Sequence, residues 1–177
     1  MSSKIILCVD DDLIVVRSLR DLLVRVLGPS VQVEMAANAQ EALELTTELQ
    51  ESGLRLAVLI TDFIMPRMRG DELLMRVHEQ SPDTVKIMLT GQSDFEGVKR
   101  AINKANLYRF LEKPFNNADL VLTVQSALAN YDKALELTRH RQLLQETRSQ
   151  LDQLVAAVGP DVAQRVLGPA FRVSQVA

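Results

Sequence analysis

Short apolar runs alternate along the chain with longer segments in which apolar residues recur every three or four positions. The short runs predict β-strands, and the longer segments predict amphipathic helices. The predicted strands cover residues 4–9, 31–36, 56–61, 84–89 and 108–112. The predicted helices cover residues 13–27, 38–51, 70–80 and 94–105, with a fifth beginning near residue 117. This alternation predicts an α/β fold, in which a five-stranded parallel sheet carries helices on both faces.

The fifth predicted helix is unusually long. No Gly or Pro occurs from Asn117 to Ala157, so an uninterrupted helix would extend about 60 Å at about 1.5 Å per residue. Its first part has the spacing of a packing face. Beyond that part, four apolar residues recur every seven positions: Leu137, Leu144, Leu151 and Val158. Because the accompanying heptad positions are mostly polar, this is a weak coiled-coil pattern, and a solvated extension is an equal alternative.

We therefore expect a globular domain in residues 1–130 and a helical linker, a candidate coiled coil with a short tail, in residues 131–177. Gly159-Pro160 ends the long helix, and residues 161–167 predict one further helical turn. The second region lacks the basic recognition helix of a DNA-binding module, a phosphate-binding glycine loop and clustered metal ligands. No further domain is recognisable, and the heptad pattern followed by the Gly159-Pro160 break is typical of a connector, so we expect a piece of a longer protein rather than a stand-alone domain.

The amino-acid composition limits the classes of protein to which the chain can belong. The chain has 177 residues, 47% hydrophobic and 24% charged, with a net charge of −3, so we expect a globular protein without a nucleic-acid partner. No apolar stretch reaches the roughly 18–20 residues that span a bilayer. The first apolar run is too short for a signal peptide, so we expect no membrane contact and a cytoplasmic location. Cys8 lies in that run and is expected to be a buried core residue.

Side chains that can bind a metal ion or take part in catalysis follow the predicted strands. Asp11-Asp12 follow the first strand, Asp62 the third, Thr90 the fourth, and Lys113-Pro114 the fifth. The carboxyl ends of parallel strands meet at one crevice, which is where such folds bind ligands. Carboxylates that are about 4 Å apart repel by roughly 4 kcal/mol at an effective dielectric near 20. A hard cation offsets such repulsion, and Mg²⁺ fits best.

Three consecutive acids, Asp10, Asp11 and Asp12, cannot all point the same way. Asp10 ends the strand, and Asp12 is also a plausible cap for the following helix. Asp62 opens a loop after a buried strand and is therefore placed to act as a nucleophile that forms an acyl phosphate. Thr90 and Lys113 supply a hydroxyl and an ammonium that bind phosphoryl oxygens.

These motifs together resemble the receiver domain of two-component response regulators, over residues 4 to about 130. The motifs are Asp11-Asp12, Asp62 with Met65-Pro66 and Gly70, Thr90-Gly91, and Lys113-Pro114-Phe115. The resemblance implies a flavodoxin-like fold with sheet order 2-1-3-4-5. It implies a signalling switch rather than an enzyme, because such a domain catalyses only its own phosphorylation and dephosphorylation.

The resemblance also assigns roles to residues. Asp62 would accept phosphate from a histidine kinase, a phosphotransfer protein or a small phosphodonor. Mg²⁺ would be held by Asp11, Asp12, Asp62 and the backbone carbonyl of Ile64. Thr90 would move toward the phosphoryl group, Phe110 would swing inward as an aromatic switch, and the Lys113-Pro114 bond would be cis.

Two further expectations concern lifetime and output. Ile64 and Gln92 correspond to positions that flank the path of attacking water. Apolar Ile64 predicts a phosphoryl lifetime of minutes or longer, which a half-life of a few seconds in Mg²⁺ would contradict. Phosphorylation would reshape the surface of the fourth helix, fifth strand and fifth helix, and the extended helix would pair in a homodimer. His78 and His140 are expected to be ordinary helix residues rather than phosphotransfer sites.

Two alternatives stay open. A haloacid dehalogenase-type phosphatase also uses a strand-end aspartate with Mg²⁺, but it needs a second aspartate two residues further on. After Asp62 that position is Ile64, whereas after Asp10 it is Asp12. The other alternative is a receiver-like scaffold whose site is silent. A nucleotide-binding loop is excluded because no glycine lies in the first strand-to-helix turn.

Overall fold

A computed structural model of the chain describes residues 4–91, 95–158 and 162. Five strands are present in the described residues: β1 (Lys4–Val9), β2 (Val31–Ala36), β3 (Leu56–Asp62), β4 (Val85–Thr90) and β5 (Leu107–Glu112). Five helices alternate with them: α1 (Leu13–Leu27), α2 (Ala39–Glu51), α3 (Gly70–Gln80), α4 (Phe95–Ala105) and α5 (Asn117–Val158). The predicted alternation of strands and helices is confirmed.

The strands form one parallel sheet in the order β2-β1-β3-β4-β5. This is the predicted order, which is therefore confirmed. Every residue of β3 is buried, and so is every residue of β1 from Ile5 onward. Strands buried on both faces need continuous apolar runs, which explains why these two segments read as unbroken hydrophobic sequence. Within this core lies the chain's single cysteine, Cys8, which is fully buried.

Three strands differ from those predicted: β5 begins at Leu107 rather than at residue 108, and the differences in β3 and β4 bear on the site. β3 continues through Asp62, whose backbone still pairs with Leu89 of β4. β4 runs from Val85 to Thr90 rather than from Thr84. The hydroxyl of Thr84 donates to the carbonyl of Leu56 at 2.9 Å, so this residue ties the strand entry to β3 through its side chain. Asp62 and Thr90 thus belong to rigid strands.

Local capping explains where two helices begin. The Asp12 carboxylate accepts the backbone N–H of Ile14 at 2.8 Å, as an N-cap of α1. Asn38 caps α2 in the same way, accepting the N–H of Glu41 at 3.0 Å. Each cap satisfies a backbone donor that the first helical turn leaves without a partner.

The chain divides into two compact units, Met1–Ala134 and Leu135–Ala177, where the sequence predicted a division after residue 130. In the second unit, Leu137 and Leu144 are 57% and 70% exposed. The predicted turn at 161–167 lies outside the described residues apart from residue 162. Among the described residues, none of the helices combines the length and apolar character that crossing a membrane requires.

Candidate functional site

The carboxyl ends of β1, β3 and β5 bring two acids and a lysine together. The Lys113 ammonium lies 2.5 Å from Asp62 Oδ1 and 3.1 Å from Asp10 Oδ2. Asp62 and Asp10 are 7% and 2% exposed as residues, whereas a third of the Lys113 side chain reaches solvent. The structure therefore places one cation between two buried carboxylates, and this group of Asp10, Asp62 and Lys113 is called the acidic pocket below.

Backbone hydrogen bonds fix the strand ends that form this pocket. The N–H of Lys113 donates to the carbonyl of Thr90 at 2.7 Å, and the N–H of Phe63 donates to Leu89 at 2.8 Å. The N–H of Asp10 donates to Ala36 at 3.3 Å. Because each functional segment is bonded to the adjacent strand, the side chains are positioned by the sheet rather than by free loops.

Burial and charge act in opposite directions on the two central groups. Burial raises the pKa of Asp62, and the nearby Asp10 adds to this, while the hydrogen bond and charge of Lys113 act to lower it; the balance is a raised pKa. Burial acts to lower the pKa of Lys113, but its bonds to Asp62 and Asp10 outweigh this and raise it. The charged form of Asp62 is therefore less favoured than in water, whereas the charged form of the neighbouring Lys113 is more favoured.

The acidic pair in the pocket differs from the one expected. Asp12, predicted as a metal ligand, has its carboxylate engaged as the N-cap of α1. Asp10 instead lies at the centre of the pocket, where it binds Lys113 and accepts the N–H of Asp12 at 2.9 Å. Asp10 directly follows the buried strand β1, so its side chain is buried like those of the strand. Asp12 directly precedes α1, so its side chain caps that helix. Asp11, between them, is exposed.

The remaining predicted site residues lie at the rim. Thr90 is 4% exposed, and its hydroxyl donates to the carbonyl of Gly91 at 3.2 Å. The N–H of Ile64 donates to Asp62 Oδ2 at 2.9 Å, and the Ile64 side chain is 65% exposed. Phe110 on β5 is 45% exposed. Gln92, the second predicted lifetime position, lies outside the described residues.

The loop from Asp62 to α3 is closed on itself. The N–H of Gly70 donates to the carbonyl of Phe63 at 2.9 Å. A Cβ atom at Gly70 would overlap the carbonyl oxygen of Asp62, so this close approach admits only glycine. On the other side of the pocket, the Lys113-Pro114 peptide bond is cis.

Sequence reasoning did not anticipate a second cluster around a buried lysine. Lys86 in β4 is fully buried, and its ammonium bonds His78 Nδ1 at 2.9 Å and the carbonyls of Thr84 and Pro82 at 2.7 and 3.1 Å. Burial lowers the pKa of Lys86 to about 8. Burial and the charge of Lys86 also lower the pKa of His78. The sequence feature that could have indicated this cluster is a lysine within a predicted strand that is otherwise mostly apolar.

The donor set of the pocket fits Mg²⁺. Across residues 4–91 and 95–158, no three acidic, histidine or cysteine side chains converge as a complete metal cage. Mg²⁺ does not need such a cage, because it is usually held by one or two carboxylates with water and substrate phosphate. Asp62 and Asp10 share one ammonium and so leave excess negative charge in a buried place, which is the chemistry that suits a small divalent cation.

The fold and the pocket define a flavodoxin-like α/β domain with an acidic site at the carboxyl ends of its strands. Residues 6–125 match the family model of the response regulator receiver domain. The chain belongs to this family, and it is a signalling domain of two-component systems. The predicted resemblance is confirmed.

Individual relatives support the same assignment. The chain is 34% identical over 126 residues to the hydrogenase transcriptional regulatory protein HoxA of Bradyrhizobium diazoefficiens, covering 71% of this chain and 24% of that protein. It is 30% identical over 115 residues to the transcriptional regulatory protein FixJ of Rhizobium meliloti, covering 61% of this chain and 56% of that protein. The chain thus spans about a quarter of HoxA and just over half of FixJ.

Solved structures show the same fold. The signal receiver domain of an HD domain-containing protein from Pseudomonas fluorescens superposes with a TM-score of 0.67 and 30% identity, covering 77% of this chain and 94% of that one. A CheY-like receiver domain from Methanospirillum hungatei superposes with a TM-score of 0.65 and 32% identity, covering 75% and 99%.

Proposed function

We propose that this domain is a switch operated by phosphorylation of Asp62, with a phosphohistidine of a histidine kinase or phosphotransfer protein, or a small acyl phosphate, as donor. The observation that carries the proposal is the contact of the Lys113 ammonium with Asp62 Oδ1 and Asp10 Oδ2. A carboxylate beside a fixed positive charge supports the proposal, because phosphoryl transfer relies on positioning and on electrostatic stabilisation of the transferred group.

The step itself is simple. A carboxylate oxygen of Asp62 forms a bond to phosphorus as the bond to the donor's nitrogen or oxygen breaks, and the leaving group departs with that electron pair. Lys113 would pair with a phosphoryl oxygen, and the Thr90 hydroxyl would turn from its present acceptor, the Gly91 carbonyl, to donate to another. The Ile64 N–H, already bonded to Asp62 Oδ2, keeps the acceptor carboxylate oriented.

Mg²⁺ would be held by Asp10 and Asp62 with the backbone carbonyl of Ile64, and the exposed Asp11 would turn toward the ion to join them. In this proposal Asp10 replaces Asp12, because the Asp12 carboxylate caps α1 and Asp10 faces the pocket. When bound, the ion would supply positive charge against the transferred phosphoryl group. The phosphoryl lifetime of minutes or longer stays a prediction, and the high exposure of the apolar Ile64 side chain is consistent with a rim that does not orient water.

Incubation with acetyl phosphate and Mg²⁺ tests the proposal. Intact-mass analysis should show one added phosphoryl group per chain, and Asp62→Asn should abolish it because the amide is not a nucleophile. Asp12→Asn is the matched control, since asparagine caps helices as well as aspartate, so labelling should persist. Absence of labelling in the unaltered protein would favour the silent scaffold. Continuous turnover of a phosphate monoester would favour the phosphatase alternative.

We also propose that the extended helix pairs in a homodimer when Asp62 is phosphorylated. Exposed Leu137 and Leu144, spaced one heptad apart, support this proposal. Light scattering should show the mass doubling on addition of beryllofluoride, a phosphoryl mimic, with Mg²⁺. Leu144→Gln should prevent the doubling. An unchanged mass in the unaltered protein would contradict the proposal without affecting that for Asp62.

A further inference from the structure

An ion pair joins α3 to α4 away from the acidic pocket. Asp71 lies in the first turn of α3, and its side chain is only 4% exposed. It accepts the Nε–H of Arg100, on α4, at 2.7 Å. A buried carboxylate is expensive to leave without a partner, so Arg100 fixes the position of α4 relative to the start of α3.

A second contact holds the same face of α4. Gly97 lies one turn before Arg100, and a Cβ atom there would overlap the aromatic ring of Phe63. The glycine therefore lets the helix backbone rest directly on that ring. Phe63 is 2% exposed and follows Asp62 in the chain, so α4 is seated on the residue next to the phosphoacceptor.

Both contacts reach a stiff segment. Phe63 donates its N–H to Leu89 of β4 and accepts that of Gly70 through its carbonyl. The guanidinium carbon of Arg69 lies 5.6 Å from the centre of the Phe63 ring. Because this loop is bonded at both ends, a displacement of α4 from the Phe63 ring would also pull Arg100 away from Asp71.

α4 is also close in sequence to the switching threonine, since Thr90 ends β4 and Phe95 begins α4. The Thr90 side chain, which would turn toward a phosphoryl group, is therefore separated from the start of α4 by only four residues in the sequence. The Thr90 hydroxyl is bonded to the Gly91 carbonyl and Phe110 is 45% exposed, which is the arrangement expected of a resting state.

We propose that the Asp71–Arg100 ion pair is a latch that holds α4 in its resting position on the phosphoacceptor loop and so opposes switching. This inference rests on the proposed phosphorylation of Asp62. A bond present only in the resting state subtracts its free energy from the response to any ligand that favours the switched state. Removing the latch makes the switch easier to operate.

The test removes both charges while keeping both side chains polar. Asp71→Asn combined with Arg100→Gln leaves no unpaired buried charge, whereas Arg100→Gln alone would leave the buried Asp71 carboxylate without its partner. The matched control is Glu72→Gln with Arg76→Gln. That pair lies on α3, has the same 2.7 Å distance, and is exposed, at 44% and 50% of the two side chains. It connects no second helix.

Fluorine NMR of bound beryllofluoride, in excess Mg²⁺, gives the concentration for half occupancy. We expect it to fall about fivefold in the latch variant, as the loss of one such bond implies, and to stay unchanged in the control. Hydrogen exchange of the α4 amides should quicken in the latch variant alone. An unchanged or higher half-occupancy concentration overturns the latch, even if the variant is less stable. Failure of the unaltered protein to bind beryllofluoride overturns the proposed function itself and is seen before any variant is made.

Discussion

Two lysines of this domain are held by opposite kinds of neighbour. The Lys113 ammonium contacts the carboxylates of Asp62 and Asp10, whereas the Lys86 ammonium contacts a histidine nitrogen and two backbone carbonyls. The pKa of Lys113 is raised, and that of Lys86 is lowered to about 8. The charge of the neighbours, rather than burial as such, decides the direction.

The difference separates a reactive site from a structural one. Around Lys113 two carboxylates face one cation, so negative charge remains available for a metal ion or an incoming phosphorus atom. Around Lys86 three neutral acceptors match the three protons of the ammonium, and nothing is left to react. A buried lysine is therefore a functional signal only when its partners carry unbalanced charge.

The largest effect should come from Lys113→Met. Loss of the cation should reduce labelling by acetyl phosphate about 100-fold at pH 7, as removal of one electrostatic contact in a phosphoryl or oxyanion site does. Because Lys113 acts to lower the pKa of Asp62, its removal should raise that pKa further. Labelling requires the carboxylate, so what remains should increase with pH over a higher range than in the unaltered protein, measured by intact mass from pH 5 to 9.

Lys86→Met provides the control for that experiment. It also removes a buried ammonium, yet its labelling rate and pH profile should match those of the unaltered protein. Equal loss of labelling in the two variants would mean that the two lysines do not differ in role.

A separate effect is expected on stability. Lys86 has a folded-state pKa of about 8 against an ordinary value of 10.5. The unfolded chain therefore binds more protons between these values, and the free energy of unfolding should rise with pH there, by about 3 kcal/mol in total. This contribution is present above pH 10.5 and lost as the pH falls through 8. Urea unfolding of the unaltered protein and of Lys86→Met, at pH 7 and 11, measures it as a difference.

The contribution of Lys113 to the free energy of unfolding, measured as the difference between the unaltered protein and Lys113→Met, should change with pH in the opposite direction. The raised pKa of Lys113 means that its contribution is present below the ordinary lysine value and lost as the pH rises through the folded-state value. If the contributions of Lys86 and Lys113 to stability changed with pH in the same direction, the two lysines would not differ as described.

Much of the fold was readable from the sequence because its signals are local. Continuous apolar runs such as Ile5–Val9 identify strands buried on both faces, and the unbroken segment after Asn117 identifies the long helix. The meeting of Asp62 with Lys113 was also predictable, because parallel topology alone brings strand ends together.

The unpredicted contacts depend on orientation or on tertiary partners. In the run of three aspartates, spacing does not say which side chain faces inward, and the structure gives the pocket to Asp10 and the helix cap to Asp12. Asp71 belongs to the buried face of α3, but its partner Arg100 is 29 residues away. A charged residue on an apolar face predicts that a partner exists without identifying it.

Cys8 carries a practical consequence. It is the only cysteine in the chain, it is fully buried, and burial raises its pKa to about 12. A thiol without access or thiolate character does not react with alkylating reagents. A cysteine introduced on the outer face of α4, for instance in place of the exposed Lys99, would therefore take a fluorophore or spin label at a single site in the otherwise natural chain.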